Sequence, residues 1–218
     1  MRHLAWVLSA LLPVMALAEP PPDKIAAQAK ICDEMDDNAQ VWIDACTAAI
    51  QSGRFTDPAR LSVLYSNLGY ADINRALQSD NNFEKALTDL NEAVRLDPDN
   101  MWAVNNRANA RMYRGEYEAS LADIAVVLGR EPDQPKTHGL RCVVLTKLNR
   151  AAEGLPECLR AIALGNTSNW AYEDLGAAYE GIGDKRNAEQ AYRHALNIEP
   201  ASATAHEGLE RVVGGGDR

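Results

Sequence analysis

The stretch that decides the fold is Asn169–Ser202, which reads NWAYEDLGAAYEGIGDKRNAEQAYRHALNIEPAS. It is 34 residues long, and the same spacing recurs along much of the chain. Four sets of positions keep this period: Pro98, Pro132, Asn166 and Pro200; Leu90, Ile124, Cys158 and Tyr192; Ala86, Ser120, Gly154 and Ala188; Ala93, Val127, Ala161 and Ala195. A fixed period of this length indicates an array of repeats, each of them a helical hairpin.

Small residues explain how the two helices of one repeat approach each other. We expect Gly176 on the first helix to face Ala188 and Ala195 on the second, because slight side chains allow close backbone contact. Pro200 should stop the second helix, since it lacks the N–H that the next turn needs. The pattern therefore predicts an all-α fold.

The same stretch resembles a tetratricopeptide repeat, a unit of the tetratricopeptide-repeat (TPR) family. The residues that match the signature of the family are Leu175-Gly176, Tyr179, Ala188, Tyr192, Ala195 and Pro200. The resemblance covers nearly all of residues 19–218. It implies a right-handed superhelical solenoid of antiparallel helix hairpins, and a surface that holds other proteins.

The hydrophobic pattern divides the chain into nine segments. They are a signal peptide (1–18), a Pro-rich lead-in (19–23), a degenerate hairpin (24–57), a TPR-like repeat with an insertion (58–100), three regular repeats (101–134, 135–168 and 169–202), a capping helix (203–213) and a disordered tail (214–218). About five extra residues separate Leu68-Gly69 from Asn82-Phe83. We therefore predict a lengthened first helix in the second hairpin.

The N-terminus is typical of an export signal. Arg2 and His3 precede the apolar run Leu4–Leu17, and Ala16-Leu17-Ala18 is a small-x-small cleavage site. A membrane anchor is the alternative, but the run is shorter than the roughly 20 residues of a spanning helix. We expect cleavage after Ala18 and an exported chain that does not insert into a membrane.

Charge and motif content exclude several classes of function. The chain has 22 basic and 31 acidic residues, a formal net charge of −9, which disfavours nucleic acid and anionic lipid as partners. The sequence contains no nucleophile elbow, no metal-binding pair of histidines and no Gly-rich phosphate loop. We therefore expect a protein that is not an enzyme and needs no cofactor.

The four cysteines form two local pairs. Cys142 and Cys158 stand at similar distances on either side of the turn at Asn149-Arg150, and Cys32 and Cys46 are symmetric about Ala39. In an exported chain this arrangement indicates two disulfides. A reactive thiol, or a zinc site that includes His138, is the alternative, although no third or fourth zinc ligand is evident.

The first cysteine pair carries a second resemblance. The segment from Ile31-Cys32 to Ala45-Cys46-Thr47-Ala48-Ala49-Ile50 resembles the opening of exported bacterial tetratricopeptide proteins. This resemblance implies a location in a Gram-negative periplasm, and it implies no activity.

The family resemblance also places a set of residues on the concave face, which the first helices line. They are Tyr70, Asn74, Trp102, Asn105, Asn109, Met112, Tyr113, Lys136, Lys147, Trp170, Glu173 and Glu180. Aromatic rings cover apolar side chains, and amides donate to and accept from a peptide backbone. The alternative is structural, because Asn is near the family consensus here and Trp packs on neighbouring helices.

Three further patterns suggest binding sites but have simpler interpretations. The carboxylate clamp of chaperone-binding relatives is incomplete: Asn109 and Lys136 fit, but Ser66 and Leu140 stand where Lys and Arg are expected. The acidic residues 33–37 suit a solvated turn better than a calcium loop. Arg107, Arg111, Arg114 and Arg141 suit internal ion pairs better than an anion site.

The sequence therefore predicts an adaptor or scaffold that binds a protein or an extended peptide in its concave groove. The alternative is a structural envelope protein that forms homodimers through its repeat faces.

Overall fold

The computed structural model describes residues 22–35, 38–79 and 81–214, which form eleven α-helices and no strands. The helices are α1 (Pro22–Glu34), α2 (Ala39–Gln51), α3 (Pro58–Gln78), α4 (Glu84–Leu96), α5 (Met101–Tyr113), α6 (Tyr117–Arg130), α7 (Pro135–Lys147), α8 (Ala151–Ala163), α9 (Asn169–Gly181), α10 (Lys185–Ile198) and α11 (Ala203–Gly214). The expected all-α class is confirmed. The expected signal peptide lies outside the described residues.

Two boundaries differ from the expected ones. Helix α1 begins at Pro22, inside the segment expected to be an extended lead-in. Proline suits the first turn of a helix, because the N–H that it lacks has no partner there. At the other end Gly214 belongs to α11, whereas the expected tail began with it. The remainder of that tail, residues 215–218, lies outside the described part of the chain.

The helices pair in order into five hairpins, and α11 packs against α9 and α10. Within residues 22–214 as described, each odd-numbered helix also contacts the next odd-numbered one, whereas no two even-numbered helices touch. The odd-numbered helices are therefore on the inside of the curve. Their free faces line a concave surface, which we call the groove.

Helix α3 is 21 residues long, whereas the other helices have 12 to 14 residues. At 1.5 Å per residue it exceeds a 13-residue helix by about 12 Å. Asp57 starts it, since its side chain accepts a hydrogen bond from the backbone N–H of Arg60 at 2.8 Å. Compared with α9 around Gly176, α3 extends about one turn further from Gly69 at each end, and its C-terminal extension brings Gln78 to the groove.

The ring of Tyr192 on α10 packs against both α9 and α11. The atoms nearest to a Cβ placed on Gly176 belong to this ring, at 2.7 Å, rather than to Ala188 or Ala195 as the sequence suggested. A Cβ on Gly208 of α11 would overlap the same ring. Two glycines thus make room for one buried tyrosine, and α11 covers it.

Both cysteine pairs lie within disulfide distance. The Cα atoms of Cys32 and Cys46 are 4.8 Å apart, and those of Cys142 and Cys158 are 5.3 Å apart. His138, which the alternative zinc site would include, instead contacts Glu157: its Nδ1 atom lies 2.6 Å from the Glu157 carboxylate. Close packing beside the second pair depends on Gly154, where a Cβ would lie 3.0 Å from the carbonyl oxygen of Cys142.

No helix among the described residues is both long enough and apolar enough to cross a bilayer.

Candidate functional site

A row of aromatic rings runs along the N-terminal half of the groove. The ring centroids of Trp42 and Tyr70 are 5.6 Å apart at an interplanar angle of 71°, and those of Tyr70 and Trp102 are 5.8 Å apart. The ammonium of Lys136 lies 5.9 Å from the ring centroid of Trp102, at cation–π distance. Four helices, α2, α3, α5 and α7, each contribute one of these side chains.

This row borders a cavity of about 300 Å³, which we call the aromatic cavity. Its lining residues are Met35, Ala39, Trp42, Tyr70, Asn74, Gln78, Trp102 and Lys136. Trp42 is only 2% exposed and closes one wall, whereas Trp102 is 38% exposed. The indole N–H of Trp42 donates to the carbonyl oxygen of Cys32 at 2.7 Å, which fixes the orientation of this ring.

A second cavity of about 180 Å³ lies beside Trp102. It is lined by Met101, Trp102, Asn105, Val127, Glu131, Gln134, Lys136 and Thr137. The side-chain oxygen of Asn105 accepts a hydrogen bond from the Thr137 hydroxyl at 2.8 Å. Trp102 and Lys136 border both cavities, so they are the central side chains of this half of the groove.

The C-terminal half of the groove differs in its chemistry. Trp170 is 71% exposed, and Asp174 lies one turn further along the same face of α9. Burial raises the pKa of Asp174 to about 7, with a further rise from Glu173 and an opposing effect of the Lys147 ammonium. Burial, followed by the charge of Asp174, also raises the pKa of Tyr113, whose ring stacks on Phe83 at 5.1 Å.

The structure brings together some of the residues that the sequence placed in the groove. Tyr70, Asn74, Trp102 and Lys136 line one cavity, and Asn105 lines the next. The groove candidates that line neither cavity but are exposed are Tyr113, Lys147 and Trp170. Asn109 is half-buried on α5.

Three other groove candidates line neither cavity and make contacts with other parts of the fold. Met112 packs on the core residues Ala108, Ile124 and Val144, because it points between α5 and its neighbours. Glu173 is buried and accepts hydrogen bonds from Asn169 at 3.2 Å and Ser202 at 2.6 Å. Glu180 accepts from the Tyr192 hydroxyl at 2.9 Å and pairs with Arg211.

The arginines form internal ion pairs. Arg107 and Arg111 both bind the carboxylate of Asp123, at 2.7 and 2.6 Å. Arg114 pairs with Glu84, and Arg141 lies 3.5 Å from Glu157. These pairs favour the structural interpretation over an anion site.

The remaining patterns also have structural explanations. Asp33, in the acidic cluster, pairs with Arg60 at 2.8 Å, while residues 36 and 37 lie outside the described part. Ser66 is buried and Leu140 packs on a core cluster, so neither place supplies a cation to the groove. Across the described ranges, no three His, Cys, Asp or Glu side chains converge on a possible metal site.

Two contributors to the groove were missed by sequence reasoning. Trp42 lies on a second helix, and only the packing of α2 on α3 brings its ring to the aromatic cavity. Asp174 stands two repeat lengths after Asn106, so a carboxylate replaces an amide at an equivalent place. That replacement was visible in the sequence.

Comparison with known proteins agrees with this architecture. Residues 75–100 and 171–202 match the family model described as tetratricopeptide repeat. These two segments are similar to tetratricopeptide repeats. The second match coincides with α9, α10 and the turn that follows them.

Curated relatives of the chain include a stress-induced phosphoprotein and a DnaJ homolog. The chain is 23% identical over 134 residues to stress-induced-phosphoprotein 1 of Caenorhabditis elegans, an alignment that covers 62% of this chain and 42% of the relative. It is 28% identical over 146 residues to a DnaJ homolog subfamily C member 3 homolog of Dictyostelium discoideum, covering 59% and 29%. The chain spans less than half the length of either relative.

Solved structures of tetratricopeptide proteins share the fold. A tetratricopeptide repeat protein from Parabacteroides merdae superposes with a TM-score of 0.64 at 18% identity, covering 88% of this chain and 73% of that one. The first repeat domain of Spaghetti (RPAP3), bound to the HSP90 peptide SRMEEVD, superposes with a TM-score of 0.51 at 21% identity, covering 55% and 94%.

Proposed function

We propose that this chain is an adaptor that holds a polypeptide segment of another protein in its groove. The observation that carries the proposal is the exposed pair Trp102 and Trp170, which occupy equivalent places two repeats apart on the inner helices. Large rings that remain exposed on a concave surface are typical of interaction sites, since a partner removes their apolar area from water.

The neighbouring polar groups support a polypeptide as the ligand. Asn74 and Gln78 line the aromatic cavity, and Asn105 and Gln134 line the second cavity. Side-chain amides both donate and accept, which matches the alternating N–H and C=O groups of an extended backbone. The Spaghetti domain, which shares the fold, has an HSP90 peptide bound.

The groove assignment is tested by separating binding from stability. Replacing Trp102 and Trp170 with Ala together should weaken partner binding about 30-fold or more, as expected for the loss of a buried aromatic anchor. The matched control is Leu159→Ala, which removes an exposed apolar side chain from α8, outside the groove. Partners are captured with the wild type, purified and titrated against each variant, and the melting temperature is measured in parallel.

Retained affinity in the double Trp variant would contradict the proposal. A melting temperature lowered in step with the affinity would instead assign both residues to packing. If sedimentation shows a stable wild-type dimer that the double variant abolishes, the groove is a subunit interface.

The proposed place of action is the periplasm of a Gram-negative cell. The apolar N-terminal run and the two close cysteine pairs support it, because disulfides persist in oxidising compartments. The protein recovered from the periplasm should begin at Glu19, and its intact mass should be four hydrogens below that of the reduced form. Thiols that react with an alkylating reagent in the native protein would contradict this assignment.

A further inference from the structure

We propose that the aromatic cavity binds the ring of a Phe, Tyr or Trp side chain in a polypeptide segment whose adjacent residues are acidic. This inference rests on the proposed adaptor function and names the chemistry that one half of the groove selects.

The walls of the cavity are suited to a ring. Trp42, Tyr70 and Trp102 come from three different helices, and their centroid separations of 5.6 and 5.8 Å lie in the range of favourable aromatic pairs. A ligand ring placed beside Tyr70 and Trp102 would pack against them edge-to-face or tilted, as the rings of the protein already pack against one another. Met35 adds a thioether, which also packs well against rings.

The site is organised before a ligand arrives. The carbonyl oxygen of Cys32 accepts hydrogen bonds from the Trp42 indole at 2.7 Å and from the Asn67 amide at 3.1 Å. Cys32 is itself paired with Cys46. The wall that Trp42 forms is therefore tied to both α1 and α3, and little side-chain entropy remains to be lost on binding.

The cavity is large enough for one aromatic side chain. Its volume of about 300 Å³ is at the lower limit of small-molecule pockets. Asn74 and Gln78 lie along the same cavity and provide hydrogen bonds for the backbone on either side of the ring.

The charge at the cavity indicates which residues should flank the aromatic residue in the bound segment. Among the described residues that line the aromatic cavity, Lys136 is the only charged one. Its ammonium already faces Trp102, so a cationic side chain would meet repulsion there, whereas a carboxylate next to the ring would be attracted.

The inference is tested with three short peptides and the purified protein. The probes are acetyl-Gly-Asp-Phe-Asp-Gly-amide, a version with Ala in place of Phe, and a version with Lys in place of both Asp residues. Binding is followed through the indole N–H resonances of Trp42 and Trp102 in nitrogen-15-labelled protein. We expect the acidic Phe peptide to shift both resonances and to bind about tenfold or more tightly than the Ala peptide.

Variants locate the effect on the cavity. Trp102→Ala should weaken binding of the acidic Phe peptide about 30-fold. Val126→Ala, which truncates an exposed side chain on α6, should leave the affinity unchanged. Lys136→Gln should remove most of the preference for Asp over Lys neighbours while a preference for Phe over Ala remains.

Each other outcome overturns the inference. Stronger binding of the Lys peptide would make the cavity a cation site, and equal binding of the Ala peptide would mean that no ring is recognised. A wild-type dimer that Trp102→Ala dissociates would identify the occupant as a second copy. If no peptide binds while capture of the natural partner still depends on Trp102 and Trp170, this inference fails and the adaptor function stands.

Discussion

At the residue scale, two carboxyl groups titrate far from their usual range. Burial raises the pKa of Asp174 in the groove to about 7. Burial and the adjacent carboxylate of Asp72, against the opposing charge of Lys85, raise the pKa of Asp89 to about 6. One carboxylate oxygen of Asp89 is buried without a hydrogen-bond partner among the described residues, which is consistent with a poorly solvated anion.

These shifts predict how stability depends on pH. Both folded pKa values lie above the reference value of 3.8, so between these values the folded state holds protons that the unfolded chain has released. The free energy of unfolding should therefore fall as the pH rises from about 4 to about 7. Asp89 and Asp174 both contribute to this fall below about pH 6, and Asp174 alone contributes between about pH 6 and 7.

The substitution Asp174→Asn isolates the contribution of Asp174 to the pH dependence of stability. The variant should be more stable than the wild type at pH 8 by about 1 to 3 kcal/mol, a range reduced because solvent reaches this half-buried side chain. Its stability should no longer fall between about pH 6 and 7.5. Urea unfolding at several pH values measures this difference. An unchanged slope in that interval would show that Asp174 is already ionised in the folded protein.

At the element scale, the hairpin of α7 and α8 combines a weak helix with a covalent link. Helix α8 contains Pro156 in its interior, and Gly154 lies where α7 approaches most closely. An interior proline costs about 3 kcal/mol relative to Ala. A disulfide that closes about 15 residues returns about 3 kcal/mol in the chain-entropy account. The stabilisation by the disulfide between Cys142 and Cys158 is therefore comparable to the free energy that Pro156 costs α8.

We expect the double substitution Cys142→Ser and Cys158→Ser to lower the free energy of unfolding by about 3 kcal/mol. Adding Pro156→Ala should restore about 1 to 2 kcal/mol, since Ala supplies the missing N–H but loses the restriction that proline places on the unfolded chain. Pro98→Ala, at a turn after α4, is the matched control and should restore nothing. Denaturant unfolding of the four proteins measures both effects, and equal recovery from both proline substitutions would contradict this explanation.

The same elements show what could be predicted from the sequence. The period of 34 residues reports backbone geometry, and this is why it predicted the hairpins and the all-α class. The period does not show which small residue packs against which large residue. Gly176 accommodates Tyr192 rather than the expected alanines because the tyrosine ring lies inward, between α9 and α11.

Prediction of the groove was less complete for a similar reason. Positions such as Trp102 and Lys136 depend only on the inner face of one helix, and the structure places both of them beside a cavity. Met112 and Glu173 depend on partners from other elements, namely the core around Ile124 and the hydroxyl of Ser202. No spacing within a single repeat contains that information.

At the scale of the whole molecule, contacts between the described helices join only neighbouring hairpins and adjacent inner helices. Stability in such an array is close to a sum over units and their shared faces, so local damage should stay local. Helix α11 offers a test because it covers the ring of Tyr192 at one end.

Gly208→Ala should destabilise this end by about 1 to 3 kcal/mol, because the new Cβ would overlap the Tyr192 ring. Gly129→Ala is the matched control: nothing lies within 4 Å of its Cβ position in α6, and Ala favours a helix by up to about 1 kcal/mol. Hydrogen exchange followed by mass spectrometry should show lost protection in α10 and α11 of the first variant, with α1 to α4 unchanged. Uniform loss along the chain would mean that the array unfolds as one cooperative unit.

The unequal length of α3 has a consequence for how a newly made chain assembles. Similar repeats offer one another similar faces, so they are prone to pair with the wrong neighbour or to exchange hairpins between molecules. With 21 residues, α3 differs from every other described first helix, each of which has 13. The hairpin of α3 and α4 is therefore the least interchangeable of the five, and its irregular length should disfavour its exchange with the other hairpins.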